Sequence, residues 1–223
     1  MKDFIQLASE KKDINGSLGL LVMNQVHQQK TQRFSKAKES LENRLRNDYE
    51  NITRSELKSV FPMSVYMAYY RKFGYTYHVF GQLESVIKGK PLPDGHPLVD
   101  VMFMAELKNL LLTAAHDWEK VKPPLTLGCS NGDELFTTLS GREVATVAGD
   151  LMIYDQEAII SSILRGPDQR TCVDGNTCEV AYTVYGLPGI DENLIKQHLQ
   201  DLEDGVRIFS PKAVTVFSQV IHP

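Results

Sequence analysis

The chain of 223 residues has few of the features that would anchor a specific chemistry at first sight. No G-x-x-x-x-G-K-[ST], G-x-G-x-x-G or H-E-x-x-H pattern occurs, so phosphate-cradling loops, dinucleotide fingerprints and zinc-protease helices have no anchor. Cysteine is scarce, at three residues. The odd count and the Cys172-x5-Cys178 spacing, neither a CxxC redox pair nor a zinc knuckle, point to reduced thiols. The six histidines are scattered, so neither a metal nor a cofactor is expected. No apolar run reaches the roughly 18 residues of a membrane-spanning helix. The stretch 107–115 comes nearest and is interrupted by Lys108, Asn109 and Thr113. Glu10-Lys11-Lys12-Asp13 breaks the apolar region that an export signal needs, and the expectation is a cytoplasmic protein that does not enter a membrane. Internal repeats and low-complexity tracts are also missing.

An excess of positive charge is lacking as well: 24 Lys and Arg face 28 Asp and Glu, a net charge of −4, which excludes a globally basic nucleic-acid binder. The total hides an asymmetry. Residues 28–90 carry 12 basic and 6 acidic side chains, a net of +6, whereas residues 91–223 carry 9 and 19, a net of −10. A basic front of this kind is a footprint that a polyanion can use, although charge on helices is more often a solvated face. At 42% hydrophobic and 23% charged, the composition is that of a globular protein with a sizeable core.

What is present reads as helices first and strands later. Residues 18–23 (LGLLVM) form a short apolar run, a buried strand. Phe34, Ala37, Leu41, Leu45 and Tyr49 then recur at three and four residues, one face of a helix. Thr53 and Glu56 form a capping box, Pro62 marks a break, and Gly74 stops the helix over 65–73. Pro97 suits a first helical turn, and residues 98–112 predict a buried helix. Strands follow at 125–129 and 134–139 around Asn131-Gly132, a strong hairpin signal, and Ser140-Gly141 introduces 143–147. Further strands are expected at 151–154, 159–164, 180–185 and 214–220, with a helix through Leu194, His198, Leu199, Leu202 and Val206 between the last two. This order predicts an α+β fold with an antiparallel or mixed β-sheet body and packed helices. The expected organisation is a strand and basic helical front over 1–90 and a β-rich body over 91–223, sharing one core, with the weakest boundary near 91–97.

Three places carry candidate chemistry. Gly128-Cys129-Ser130-Asn131-Gly132 fits G-x-S-x-G, with His198 and His222 as nominal bases. A nucleophile elbow needs a helix next, and the next residues read as a strand, so Ser130 is not taken as a nucleophile. Eight aromatic residues between Phe61 and Phe80 are interleaved with Arg71 and Lys72, a mixture that can stack unpaired bases but more often fills a core. The loop 166–171 follows a buried strand and presents Asp168, Arg170 and Thr171, where Asp168 can position a water and Arg170 can grip a carboxylate or phosphate. His116-Asp117 offers a base beside a carboxylate, with a surface or capping role as the plainer reading.

His96-Pro97-Leu98-Val99-Asp100, the helix after it, the Asn-Gly and Ser-Gly turns, Gly149-Asp150-Leu151, and the loop 166–171 leading to Thr177 and Val180 together resemble a known family. This order of elements is similar to the tRNA-binding and editing module, the paired B-three/B-four domain, of the bacterial phenylalanyl-tRNA synthetase beta subunit. The resemblance spans roughly residues 70–221 and implies a free-standing module of that fold whose partner is tRNA or aminoacyl-tRNA. Where the family has a Thr-Asn pair lining its pocket, this chain has Met102 and Phe103. The family's histidine falls near Ala114, two residues from His116, and its pocket glutamate corresponds to Asp168 or Gln169. The editing reaction is therefore not carried over, but a cleft near Asp168, Arg170 and Thr171 is.

The resulting expectation is an RNA-binding protein. Lys30, Arg33, Lys36, Arg44, Arg71 and Lys72 would contact RNA, while Arg170, Thr171, Met102 and Phe103 would line a substrate pocket. Two alternatives stand beside it. One is a trans-acting hydrolase of mischarged aminoacyl-tRNA using Asp168 and His116. The other is a protein binding a free amino acid or similar small carboxylate without RNA.

Overall fold

A computed structural model describes residues 16–222 of the chain; the stretch 1–13 read above for an export signal lies outside them. The first apolar run forms β1 (Ser17–Asn24), whose residues Leu18 to Met23 are buried on both faces. Four helices follow: α1 (Gln32–Asp48), α2 (Arg54–Ser59), α3 (Met63–Lys72) and α4 (His78–Ile87). Local chemistry sets their ends. Thr31 accepts the Phe34 N–H at the start of α1, and Thr53 and Glu56 close the capping box of α2. The carboxyl end of α3 is closed by the Gly74 N–H on the Arg71 carbonyl and the Tyr75 N–H on the Tyr70 carbonyl. That pair of bonds needs a left-handed residue at its centre, and Gly74 has φ of 78°.

Helix α5 (Pro97–Asn109) ends three residues before the predicted limit, because the chain turns at Leu110 into β2 (Thr113–Asp117). The β-rich segment comprises β3 (Thr126–Cys129), β4 (Leu135–Thr137), β5 (Glu143–Ala145), β6 (Leu151–Tyr154), β7 (Ile159–Ser162) and β8 (Gly166–Pro167). The chain closes with β9 (Val180–Gly186), α6 (Glu192–Phe209) and β10 (Val214–Ile221). One antiparallel sheet runs β10-β1-β9-β2, a second β3-β6-β7-β8, and β4 with β5 forms a separate hairpin. The fold is α+β with antiparallel sheets, as the sequence order predicts.

One expected pairing differs. Strands β3 and β4 are not hairpin partners; β3 pairs with β6. Asn131-Gly132 instead belongs to a loop gathered around the Glu134 carboxylate, which accepts from the N–H groups of Asn131 (2.9 Å) and Gly132 (3.1 Å) and from the Thr146 hydroxyl (2.6 Å). Burial opposes ionisation of Glu134, but these donors prevail and hold it down to about 2. Ser130 sits inside the same network, accepting the Gly132 N–H, which accounts for the G-x-S-x-G pattern without a nucleophile. The Ser140-Gly141 turn does make its hairpin, with Thr138 bonded to the Arg142 carbonyl and Gly141 at φ 75°.

The main hydrophobic cluster of the described residues runs from β1 through α1, α3, α4 and α5 to β9 and α6, and a small second one gathers Phe136, Met152 and Ile159. Helix α6 lies close on the first sheet at Gly19, where an added Cβ would sit 2.6 Å from Ile195 Cγ2. Tyrosines of α3 tie the two sheets together. Tyr66 donates to the Tyr185 carbonyl of β9, and Tyr70 donates to the Ile163 carbonyl at 2.6 Å. Tyr69 Oη lies 2.8 Å from the Asp150 carboxylate. Half of the aromatic run is thus core, since Tyr66, Tyr70, Tyr77 and Phe80 are buried and Tyr66 stacks on Tyr77 at 5.0 Å.

Candidate functional site

The loop 166–171 packs across β7 and β4, with the Asp168 N–H on the Ile160 carbonyl and the Gln169 N–H on the Thr137 carbonyl. Asp168, Thr171 and His116 come together as a chain. The Thr171 hydroxyl donates to Asp168 Oδ1, and His116 Nδ1 lies 2.8 Å from the same hydroxyl. The other ring nitrogen faces the Thr183 hydroxyl at 3.5 Å. All these side chains are buried. Burial and then the nearby Arg170 charge push the His116 pKa down to about 4, so the ring is neutral at physiological pH. Burial also raises the Asp168 carboxyl, against the hydrogen bonds from Thr171 and the charge of Arg170.

Arg170 spans three segments. Its Nη1 donates to the Lys120 carbonyl at 2.8 Å, its Nη2 meets Asp155 at 2.9 Å, and its Nε stands 3.8 Å from Asp168 without a hydrogen-bond partner. Arg170 thus acts as a brace, and most of its fork is occupied. Asp117 caps the turn after β2 by accepting the Glu119 N–H, and it also binds the Thr177 hydroxyl. Met102 and Phe103 lie half-buried on α5, and Met102 packs on the core. Among the described residues, no hydrogen bond of the Asp168 network reaches α5. Chemically, the network holds a neutral imidazole and a carboxylate in fixed register through one hydroxyl.

The basic front divides into occupied and available cations. Lys30 reaches Asp94 at 2.6 Å, Lys38 is buried against Asp100 at 2.9 Å, and Arg46 meets Glu42 at 3.1 Å. Arg33, Lys36 and Arg44 are exposed and make no ion pair with a described residue. At 100° per residue they fall within about 80° of arc on α1, so they form one stripe. Arg71 and Lys72 are exposed at the carboxyl end of α3, with Lys72 over the Phe73 ring at 5.0 Å.

Arg71 also lines a solvent-open groove of about 650 Å³ between α2, α3 and α4. Arg54, Lys58, Tyr75 and Phe80 share its walls, and no carboxylate is among them. Arg54 and Lys58 were not singled out from the sequence, although their spacing of four residues on a capped helix puts them on one face. Both lie over the Phe80 ring, at 5.1 and 5.7 Å. Arg165, which does not line the groove, lies over the Tyr75 ring at 5.4 Å and brings the turn before the 166–171 loop against this part of the front. A second, smaller groove of about 320 Å³ lies between α1, α5 and α6, where Leu41, Val101 and Met104 meet Arg44 and the carboxylates Asp201 and Asp204.

Among the described residues no helix is long and apolar enough to cross a membrane. No known family profile matches the chain, and no curated protein matches it. Among solved structures it is similar to an N-terminal fragment of the phenylalanyl-tRNA synthetase beta-subunit from Pyrococcus horikoshii, at 14% identity and a TM-score of 0.45, over 58% of this chain and 43% of that one.

Proposed function

We propose that this protein is an RNA-binding module with tRNA or aminoacyl-tRNA as its partner. One observation carries the reading: the exposed cations Arg33, Lys36 and Arg44 form a stripe on α1 with no ion pair to a described residue. Cations left free on one face are what a phosphate backbone needs. The choice of tRNA rests on the motif resemblance in the sequence. A filter-binding titration of tRNA over a salt series tests this. Affinity should fall as salt rises, and replacing the three stripe residues by Ala should lower the log–log slope by about three, close to one per lost phosphate contact. Salt-independent binding, or none at low ionic strength, refutes the proposal.

The second reading, a small carboxylate such as an amino acid bound without RNA, would use the α1–α5–α6 groove, where Arg44 stands beside apolar side chains; Asp201 and Asp204 share that lining and oppose an anion, so this reading gains less support. Its test is a thermal-shift screen, since a ligand bound only by the folded state raises stability. The hydrolase reading would use Asp168 and His116. It gains less support, because both side chains turn inward onto Thr171. Ester release from charged tRNA, compared with Asp168→Asn, is its assay.

A further inference from the structure

The groove between α2, α3 and α4 offers more than charge. Arg54 is fixed from two sides: its guanidinium meets Glu84 at 2.8 and 3.3 Å and lies over Phe80. Lys58 stands over the same ring, and Lys88 reaches Glu84 at 3.8 Å. Arg71 completes the cationic wall, exposed and without an ion pair to a described residue. Cations already positioned on a rigid ring lose little freedom when they take up a phosphate.

Tyr75 supplies the second element. It is 36% exposed, whereas Tyr66, Tyr70 and Tyr77 are buried. Its backbone is locked by the turn at Gly74, through the bond from its N–H to the Tyr70 carbonyl at 2.9 Å. Its ring is backed by Arg165, which is itself anchored on the Ala145 carbonyl at 3.2 Å and does not line the groove. The ring therefore presents a held surface to the groove. Ser64 and Thr76 line the same space, and a hydroxyl can donate or accept.

An aromatic surface beside a cationic wall, with Glu84 holding Arg54 from outside the lining and Lys58 and Arg71 without an ion pair to a described residue, matches one ligand chemistry in particular. Bases paired in a duplex hide their faces in the stack, and only an unpaired base can lie on an aromatic ring while its flanking phosphates meet cations. We propose that this groove takes an unpaired nucleotide of an RNA strand, with the base on Tyr75 and the neighbouring phosphates on Arg71, Lys58 and Arg54. The assignment rests on the RNA-binding reading and narrows it from a charged surface to a single-strand site.

The experiment measures fluorescence anisotropy with a labelled single-stranded RNA oligonucleotide, the same sequence as a blunt duplex, and whole tRNA. The proteins are the parent chain, Tyr75→Ala, Tyr75→Trp, Arg71→Ala, and the triple Ala variant of the α1 stripe. Tyr75→Ala should weaken single-strand binding by about tenfold or more, with the salt slope unchanged and duplex affinity unaltered. Tyr75→Trp should retain the affinity. Arg71→Ala should lower the salt slope by about one. Circular dichroism melts confirm that each variant folds. Parent-like single-strand affinity in Tyr75→Ala, or equal losses for strand and duplex, overturns the groove assignment. If tRNA binding stays salt-dependent and sensitive to the α1 stripe in that case, the RNA-binding reading stands alone. Absence of salt-dependent tRNA binding overturns both.

Discussion

Glu106 offers a sharp test of how the core is built. It lies on α5 with no exposed surface, one carboxyl oxygen accepting the Thr113 N–H at 2.9 Å and the other without a hydrogen-bond partner. Burial drives its pKa from 4.5 up to about 8, against the effect of that single hydrogen bond. Between these values the folded chain holds one proton more than the unfolded chain, so stability falls as pH rises, by about 1.4 kcal/mol per unit. From about pH 5 to about pH 7.5 the loss from this group is roughly 3 kcal/mol. Above about 8 the folded carboxyl ionises too, and the loss levels off.

Glu106→Gln keeps an acceptor for Thr113 and removes the ionisation. Its stability relative to the parent should climb by about 1.4 kcal/mol per pH unit across that window and then flatten. Any fixed offset from the new amide does not change with pH. The background is set by His116 and His198, whose pKa values burial lowers from 6.5 to about 4 and about 3. Stability from a depressed histidine is present above 6.5 and is lost as pH falls, a slope of opposite sign that overlaps the lower part of this window and cancels in the comparison because both proteins carry the same histidines. Urea unfolding at several pH values measures the difference, and parallel curves for parent and variant would refute the reasoning.

Two further perturbations follow from the hydrogen-bond and ion-pair geometry. Thr171→Val keeps the shape but removes the hydroxyl between Asp168 and His116, leaving two buried polar groups without that partner; the melt should move down by the equivalent of about 1–3 kcal/mol, and an unchanged melting temperature would contradict the network. Asp94→Asn releases Lys30, and it also loosens Lys38, which Asp94 meets at 3.4 Å. Because the Asp94 side chain is 75% exposed, stability should change by less than about 1 kcal/mol, while tRNA affinity and its salt slope should rise. A slope equal to that of the parent would show that Lys30 takes no part.

The parts of the fold that were legible in the sequence are those where local chemistry and burial agree. Phe34, Leu41 and Leu45 are buried on one face of α1, the Thr53–Glu56 box caps α2, and Gly74 ends α3. Strand β2 was not legible, because Thr113-Ala114-Ala115-His116-Asp117 is buried on both faces and shows neither alternation nor branched apolar residues. The Asn-Gly signal failed for a different reason. Gly132 does adopt φ of 98°, but the loop is organised by a carboxylate three residues downstream of Asn131, and a hairpin rule does not count that side chain. In the candidate site, Asp168, Arg170 and Thr171 were legible as one loop, but the buried place of His116 on Thr171 was not, since sequence does not reveal which way a polar group turns. Arg54 and Lys58 sit on α2 while Arg71 and Tyr75 belong to α3 and the turn after it, and only the packing of α2 against α3 brings the two pairs together.

Charge was divided in the sequence near residue 90, and the fold does not keep that division. Asp94 and Asp100 belong to the acidic part of the chain, yet they neutralise Lys30 and Lys38 of the basic part. The positive charge left for a ligand is therefore smaller than +6, and it is concentrated in the α1 stripe and the α2–α4 groove. With a net charge of −4, the chain as a whole does not attract a polyanion over long distances. At physiological salt, fields between exposed charges fade within about 8 Å, so what decides binding is the set of cations a ligand actually touches. The groove has an advantage there, since Arg54 and Lys58 are pinned on Phe80 and the Tyr75 ring adds a contact that salt does not screen. Stacking on Tyr75 and charge on the α1 stripe should then separate cleanly, the first insensitive to ionic strength and the second governed by it.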